Sequence, residues 1–345
     1  MDFNNLEETM DTYQFILLQQ QNWETERREK NDKYLDNLNR CYEEYLKLTE
    51  EYHEIENPNL YIPLSKESHR EIFKDEDKRE KIANWLITVD SSMVLQLNIF
   101  EYWRQKKDGY KHIANILGVN PEGIINMHYE GLDNNNEYKF KIYPSARNHP
   151  QPDIFFEYET GLITAIECKF KEPYENIALN HKNTNWIELD NTYLSGEREP
   201  NKTKNWVGLD NFRKFIENQC KNDITNEFKF IDIKQIVTHI LGLNKIMDNT
   251  GKIRNREKSQ YSLIYLYFPP CKINEKNELI IYDERYDNEI KKIQSILSRD
   301  GVQFYSKTWI EILVGFVKKC KEGILDNEDK KYLKYNFERY FPKRF

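Results

Sequence analysis

Residues 152–170 constrain the fold more than any other part of the chain. They read PDIFFEYETGLITAIECKF, two apolar runs on either side of a short turn at Thr160-Gly161. Apolar runs rich in aromatic and β-branched residues, separated by a short turn with glycine, predict a β-hairpin. This segment therefore predicts two neighbouring antiparallel strands of one sheet.

The second strand of the hairpin ends in charged residues. Because side chains alternate along a strand, Ile163, Ala165, Glu167 and Lys169 share one face. A buried carboxylate or ammonium is unfavourable unless it is paired or holds a metal ion. Asp153, across the hairpin, can supply a second carboxylate, so we expect a chemical site at this end of the hairpin.

The oxygen atoms at this end suit a hard divalent cation. Asp153, Glu167 and the backbone carbonyl of Cys168 offer the oxygen ligands that Mg²⁺ and Mn²⁺ prefer. Such an ion can polarise a phosphodiester, and Lys169 could orient or help deprotonate the attacking water and offset charge on the phosphate. These residues therefore predict phosphodiester hydrolysis with Mg²⁺ or Mn²⁺ as cofactor.

The order and spacing of these residues resemble a known signature. Pro152-Asp153, thirteen intervening residues and Glu167-Cys168-Lys169 are similar to the motif of the PD-(D/E)xK nuclease superfamily, the restriction-endonuclease-like fold. The resemblance implies that Asp153 and Glu167 bind the metal and that Lys169 assists the attacking water. The alternative is an edge hairpin whose Glu and Lys are solvated neighbours.

A helix is predicted upstream over residues 82–103, where apolar residues recur at three- and four-residue steps. Gln96 interrupts this apolar stripe, and Ser92 lies one turn before it. The resemblance implies that such a helix lends a polar side chain to the site, so both residues are candidates. The alternative for Gln96 is a local hydrogen bond at the edge of the core.

A second helix is predicted over residues 232–247, with Gln235 and His239 one turn apart on its flank. Many members of the superfamily carry a Gln-x-x-x-Tyr pair on this helix, in contact with the DNA backbone or the active site. His239 departs from that pattern. A phosphate-contacting role and an ordinary surface histidine therefore remain alternatives.

The rest of the chain predicts an α/β fold. Strands are expected at 261–268, 279–282 and 302–305, and helices at 288–297 and 308–319, the last capped by Thr308. Together with the hairpin they predict a mixed β-sheet core flanked by helices, and the resemblance implies that this core has the restriction-endonuclease-like fold. The resemblance covers about residues 80–320.

Three regions are expected: a helical arm and linker at 1–79, a nuclease core at 80–325 and a basic helical tail at 326–345. Residues 13–55 are almost free of Gly and Pro and carry a short heptad seam, which is shorter than a coiled coil normally requires. The seam residues are Leu35, Leu38, Tyr42, Tyr45, Thr49 and Tyr52. A homodimerisation arm and a helix packed on its own core remain alternatives.

Basic residues cluster at three places although the formal net charge of the chain is −7. Phosphate binding needs such clusters locally, although each could also be an ordinary solvated face. The clusters are Lys202, Lys204, Arg213 and Lys214; Lys252, Arg254, Arg256 and Lys258; and Lys330, Lys331, Lys334, Arg339, Lys343 and Arg344. Lys252, Arg254 and Arg256 are the candidates for nucleic-acid contact.

Composition favours a cytoplasmic, bacterial protein. The five cysteines are scattered without a Cys-x-x-Cys, which argues against structural zinc and a disulfide framework. The sequence shows neither a signal-peptide pattern nor an apolar run of ~18 residues, so no membrane contact is expected.

The combined features predict a Mg²⁺-dependent endonuclease that cuts double-stranded DNA, and the resemblance implies a restriction or phage-defence system. One alternative is an RNA-cutting effector or toxin. The other is a catalytically inactive nucleic-acid-binding or interaction protein on the same fold. The intact set of Asp153, Glu167 and Lys169 argues against this last alternative.

Overall fold

A computed structural model was obtained for the chain. It describes residues 12–47, 53–73, 76–129, 152–170, 194, 206–221, 228, 231–247, 253–269, 271–273, 279–281 and 284–340.

Helices make up most of the described chain. They are α1 (Thr12–Lys30), α2 (Tyr34–Leu46), α3 (Lys66–Ile72), α4 (Arg79–Ile87), α5 (Ser92–Gln105), α6 (Gly109–Leu117), α7 (Asp210–Lys221), α8 (Ile233–Leu243), α9 (Arg285–Arg299), α10 (Trp309–Lys321) and α11 (Asn327–Tyr340). Within the described residues, none of these helices combines the length and apolarity needed to cross a membrane.

The strands are β1 (Ile124–Tyr129), β2 (Ile154–Tyr158), β3 (Ile163–Lys169), β4 (Lys245–Met247), β5 (Ile253–Asn255), β6 (Tyr261–Tyr267), β7 (Cys271–Ile273), β8 (Leu279–Ile281) and β9 (Gln303–Thr308). Five of them form one sheet in the order β1-β2-β3-β6-β9. The first two pairings are antiparallel and the last two are parallel. The predicted mixed sheet of an α/β fold is therefore confirmed.

The predicted hairpin is formed by β2 and β3. Ile154 pairs with Ile166 and Phe155 with Ala165. The turn needs glycine at Gly161, whose φ of +77° lies in the left-handed region that other residues rarely adopt. Every residue of β3 except Lys169 is buried, so this strand has covered faces on both sides.

The helix predicted over residues 82–103 is two helices, α4 and α5, and the single helix was wrong. The break at residues 88–91 is stabilised by side chains from distant parts of the chain. Asn57 donates to the carbonyl of Leu86 over 2.9 Å, and Arg339 donates to the carbonyl of Val89 over 2.9 Å. These bonds satisfy carbonyl groups that a continuous helix would have used itself.

The helix predicted over residues 232–247 ends earlier, at Leu243. Residues 245–247 form β4, which pairs with β5. The reversal occurs at the buried Asn244, whose carbonyl accepts from the N–H of Arg256 over 2.7 Å. Pairing with a strand that follows in the sequence therefore overrides the helical pattern at this point.

The strands and the capped helix predicted for the C-terminal part of the chain are present. The strand predicted at 279–282 is β8, but it pairs with β7 in a separate two-stranded sheet. The strand predicted at 302–305 is β9, and α10 begins directly after it. Thr308 caps α10 as expected: its Oγ1 accepts from the N–H of Glu311 over 3.1 Å.

The N-terminal helices pack on the rest of the same chain. Tyr45 of α2 stacks on Phe73 with 5.2 Å between ring centroids, and Trp23 of α1 lies 4.2 Å from the guanidinium carbon of Arg339. Tyr45 belongs to the same hydrophobic core as the sheet. The chain thus buries part of the predicted heptad seam itself; Thr49 and Tyr52 lie outside the described residues, and the division into arm, core and tail stays a prediction.

Candidate active site

Asp153 and Glu167 lie opposite each other at one end of the hairpin. Asp153 directly precedes β2, and the register that pairs Ile154 with Ile166 continues to place it across from Glu167. Oδ2 of Asp153 also accepts from the backbone N–H of Cys168, the residue that follows Glu167 in β3. The two carboxylates therefore converge where the parallel strands β3, β6 and β9 end, the edge at which open α/β sheets bind ligands.

Backbone contacts hold Asp153 in place. Its Oδ2 accepts from the N–H of Cys168 over 2.7 Å, and its carbonyl accepts from Nε2 of the buried Gln96 over 3.2 Å. In a strand, the N–H and C=O of one residue point to the same side. The carbonyl of Cys168 is therefore directed to the side of β3 on which Asp153 lies, beyond the first residue of β2.

Glu167 is the most buried carboxylate of the site, with a side chain only 3% exposed. Its Oε1 accepts two hydrogen bonds of 2.7 Å, from Nζ of Lys169 and from Nε2 of Gln235. Its Oε2 is buried and has no hydrogen-bond partner within the described part of the chain. A buried carboxylate oxygen without a partner is unfavourable, so it is a candidate ligand for a cation.

His239 and Tyr265 lie behind Glu167. His239 is completely buried, which corrects the surface position considered from the sequence; its Nε2 is 3.7 Å from Oε2 of Glu167. Its Nδ1 is 3.3 Å from Oη of Tyr265. Burial lowers the pKa of His239 to about 4, against the opposing effect of Glu167, so the imidazole is neutral at pH 7. Burial and the nearby Glu167 raise the pKa of Tyr265 well above its usual value.

Tyr265 is the site residue that the sequence motifs missed. It pairs with Glu167 in the parallel register between β3 and β6, so both side chains are on one face of the sheet. In the sequence it is one of several aromatic residues in the continuous apolar run of β6. Only the register of two strands that are far apart in the chain could have identified it.

Other predicted residues lie away from the acidic pair. Ser92 is half-buried at the first position of α5, and the contacts among the described site residues include Gln96 but not Ser92. Arg256 is buried and donates to the carbonyl of Gly161 over 3.3 Å, at the turn of the hairpin. At about 3.3 Å per residue, that turn is roughly 26 Å from Lys169 along β3.

The residues of the basic clusters also lie in different parts of the structure. Arg254 is in β5, close in sequence to Arg256, and Lys252 lies outside the described residues. Arg339 is 1% exposed and belongs to the interior rather than to a basic surface. Lys330, Lys331 and Lys334 are exposed on α11, whereas Lys202, Lys204, Lys343 and Arg344 are among the residues that are not described.

A second buried charged cluster occupies the same face of the sheet. His128 of β1 pairs with Phe155, which lies between Asp153 and Glu157 on that face. Nδ1 of His128 is 3.1 Å from Oε1 of Glu71, and Nε2 is 3.2 Å from Oε2 of Glu157. This cluster joins α3 to β1 and β2, beside the candidate site.

The donor set fits a cation that keeps part of its water shell. In the part of the chain that the structure describes, no three His, Cys, Asp or Glu side chains form a group that could hold a metal ion. Two carboxylates and a backbone carbonyl are instead the kind of partial oxygen shell that Mg²⁺ accepts. Oε2 of Glu167, which has no hydrogen-bond partner among the described residues, is the observation that supports this fit.

Comparison with known proteins adds one finding. Residues 17–276, about three quarters of the chain, match the family described as Restriction Endonuclease associating with ARP. The match includes the hairpin, α5 and α8. No curated protein and no solved structure matches the chain.

Proposed function

The chain belongs to the family of restriction endonucleases associating with ARP, which implies a nucleic-acid substrate, and from this premise we propose a metal-dependent nuclease of the PD-(D/E)xK class. Its reaction is hydrolysis of phosphodiester bonds in double-stranded DNA. One observation carries the proposal: the buried Glu167 accepts two hydrogen bonds on Oε1, and its Oε2 has no hydrogen-bond partner among the described residues.

Asp153, Glu167 and the carbonyl of Cys168 would hold Mg²⁺ or Mn²⁺. When bound, the ion polarises the scissile phosphate and lowers the energy of the charge that develops on it. The hydrogen bond from Cys168 to Asp153 sets the direction of one carboxylate, and Gln235 sets the other. Gln96 holds the backbone at Asp153, which keeps the two carboxylates at a constant separation.

Lys169 would lie beside the reacting phosphate because its Nζ donates to Oε1 of Glu167 over 2.7 Å. Its side chain is 19% exposed. An ammonium group donates hydrogen bonds, so it can orient the oxygen of the attacking water. The same group offsets negative charge on the phosphate in the transition state. Both effects need the amine at this position and have no substitute in an alanine variant.

The restriction-endonuclease-like fold is part of the proposal. Support comes from the order α5, β2–β3 hairpin, α8, β6, β9 and α10, with the acidic pair at the end of the hairpin. The family description names a restriction endonuclease, which supports a role in restriction. Phage defence and double-stranded DNA as the substrate are part of the proposal.

The test is incubation of the full chain with supercoiled plasmid, linear duplex, single-stranded DNA and RNA, each with Mg²⁺, Mn²⁺ or chelator. The variants are Lys169→Ala and, as a matched control, Lys47→Ala. Lys47 also pairs with a glutamate, Glu43, at 3.4 Å, but its side chain is 74% exposed at the end of α2. Circular dichroism checks that each variant is folded.

Metal-dependent cutting of DNA by the wild type and by Lys47→Ala, but not by Lys169→Ala, is the expected result. Cutting of RNA alone would instead support the effector or toxin alternative. Full cleavage by a folded Lys169→Ala variant would remove the proposed mechanism. Binding of nucleic acid without cleavage under all conditions would favour the inactive interaction protein.

A further inference from the structure

Two buried polar atoms face each other behind the carboxylate of Glu167. Its Oε2 and Nε2 of His239 are 3.7 Å apart, and neither has a hydrogen-bond partner among the residues that are described. An N–H···O hydrogen bond has a heavy-atom distance near 3.0 Å. A shift of about 0.7 Å would therefore close this contact if the hydrogen of the imidazole is on Nε2.

Tyr265 decides where that hydrogen is. Its hydroxyl is 3.3 Å from Nδ1 of His239, and a phenol has a single hydrogen to donate. If that hydrogen is donated to Nδ1, the neutral ring carries its own hydrogen on Nε2, directed at Glu167. In the reverse arrangement, lone pairs of Nε2 and Oε2 would face each other, and the hydroxyl hydrogen would need another acceptor.

We propose that Tyr265 and His239 form a positioning pair for Glu167. The hydroxyl of Tyr265 selects the Nε2–H tautomer of His239, and this N–H orients Oε2 of Glu167 toward the cation. Helix α8 then supplies a donor to each carboxylate oxygen, Gln235 to Oε1 and His239, one turn later, to Oε2. An ionised carboxylate oxygen has lone pairs for both a donor and a cation.

The pairing of β3 with β6 explains why a tyrosine acts here. Glu167 and Tyr265 are register partners on one face of the sheet, and α8 places His239 between them. Carboxylates that bind metal ions are themselves held by hydrogen bonds, and loss of such outer partners typically weakens metal binding about 10–100-fold. The metal-binding part of this inference rests on the proposed function, whereas the tautomer does not.

The tautomer is measured directly by NMR of the full chain labelled with ¹⁵N-histidine, because the two ring nitrogens differ in chemical shift with and without hydrogen. The His239→Gln variant identifies the signal by its disappearance. We expect Nε2–H for His239 in the wild type and a mixture of tautomers in Tyr265→Phe. Tyr261→Phe is the matched control, since it removes a buried hydroxyl from the opposite end of β6.

Metal binding is measured by calorimetry with Mg²⁺ and Mn²⁺ and no nucleic acid. The amide nitrogen of glutamine lies near the position of Nε2, whereas that of asparagine lies near Nδ1. His239→Gln should therefore keep wild-type affinity, and His239→Asn and Tyr265→Phe should bind about 10-fold more weakly.

The inference is overturned if His239 carries the Nδ1–H tautomer in the wild type. It is also overturned if the tautomer in Tyr265→Phe is the same as in the wild type. So does equal metal affinity in folded His239→Gln, His239→Asn and Tyr265→Phe variants. Absence of metal binding by the wild type would contradict the proposed function, and the tautomer would still decide the positioning pair.

Discussion

The backbone N–H of Cys168 donates to Oδ2 of Asp153 over 2.7 Å and so joins the end of β3 to the start of β2. This bond gives the aspartate a structural task in addition to its proposed role as a metal ligand. An uncharged oxygen acceptor at the same position could perform the first task but not the second. The two contributions can therefore be separated by substitution.

Asp153→Asn should remain folded and lose metal-dependent cleavage. The amide oxygen can still accept from Cys168, but the neutral group is a poor ligand for Mg²⁺. Calorimetry without nucleic acid reports the loss of metal affinity, and thermal unfolding reports the fold. Asp153→Ala, which also removes the hydrogen bond, should be less stable by about 1 kcal/mol; wild-type cleavage by Asp153→Asn would exclude Asp153 from the site.

Glu71→Gln should strongly destabilise the protein. The side chain of Glu71 is 9% exposed, and its Oε2 is 2.6 Å from Arg104 and 2.9 Å from the N–H of Tyr129. Removal of one partner leaves a buried guanidinium without its charge complement, at a cost of about 3–5 kcal/mol. Urea unfolding measures the change, with Glu67→Gln on the exposed side of α3 as control; similar stability of both variants would disprove this role.

The free energy of unfolding should decrease as the pH falls from about 6.5 to 4. Burial, with smaller effects of His53 and Arg79, lowers the pKa of His69 to about 4. In this range the unfolded chain takes up a proton that the folded His69 does not, and each group contributes up to about 1.4 kcal/mol per pH unit. His239 contributes with the same sign.

Denaturant unfolding across this range should therefore show a shallower pH dependence for His69→Gln than for the wild type. His53→Gln, which changes an exposed histidine with only a smaller effect on the pKa of His69, is the control and should change the slope less than His69→Gln does. An unchanged slope in His69→Gln would mean that His69 titrates equally in both states.

Deletion of residues 1–56 should give insoluble or unfolded protein rather than an active monomer. Tyr34 of α2 donates to Oδ1 of Asn59 over 2.6 Å, and Arg339 donates to the carbonyl of the same residue over 2.6 Å. Trp23 covers the guanidinium of this buried arginine. The deletion removes Tyr34 and Trp23, and so their contacts with Asn59 and Arg339, together with part of the common core.

A milder variant tests the same contacts. Trp23→Ala should lower the free energy of unfolding by about 3–5 kcal/mol, as for other buried tryptophans. Leu35→Ala, at a seam position that is 45% exposed, should leave it unchanged. If Leu35→Ala alone alters the mass measured by analytical ultracentrifugation, the arm has a dimerisation role as well.

Short-range sequence patterns predicted the hairpin and the N-terminal cap of α10 well. Alternation, the turn at Gly161 and the cap at Thr308 depend on residues within a few positions of each other. Helix ends were predicted less well, because long-range bonds such as that from Arg339 to the carbonyl of Val89 decide where α4 stops. The same limit applies to Arg256, whose partner Gly161 is distant in sequence.

The sequence by itself determined the hairpin, the mixed character of the sheet and the presence of Asp153, Glu167 and Lys169 at the open end of the hairpin. Local alternation and turn chemistry are sufficient for this. Only the tertiary structure decided that His239 is buried and that Tyr265 stands beside Glu167. Burial and register depend on which distant strand pairs with β3 and which helix covers its face, and these contacts form only when the whole sheet is assembled.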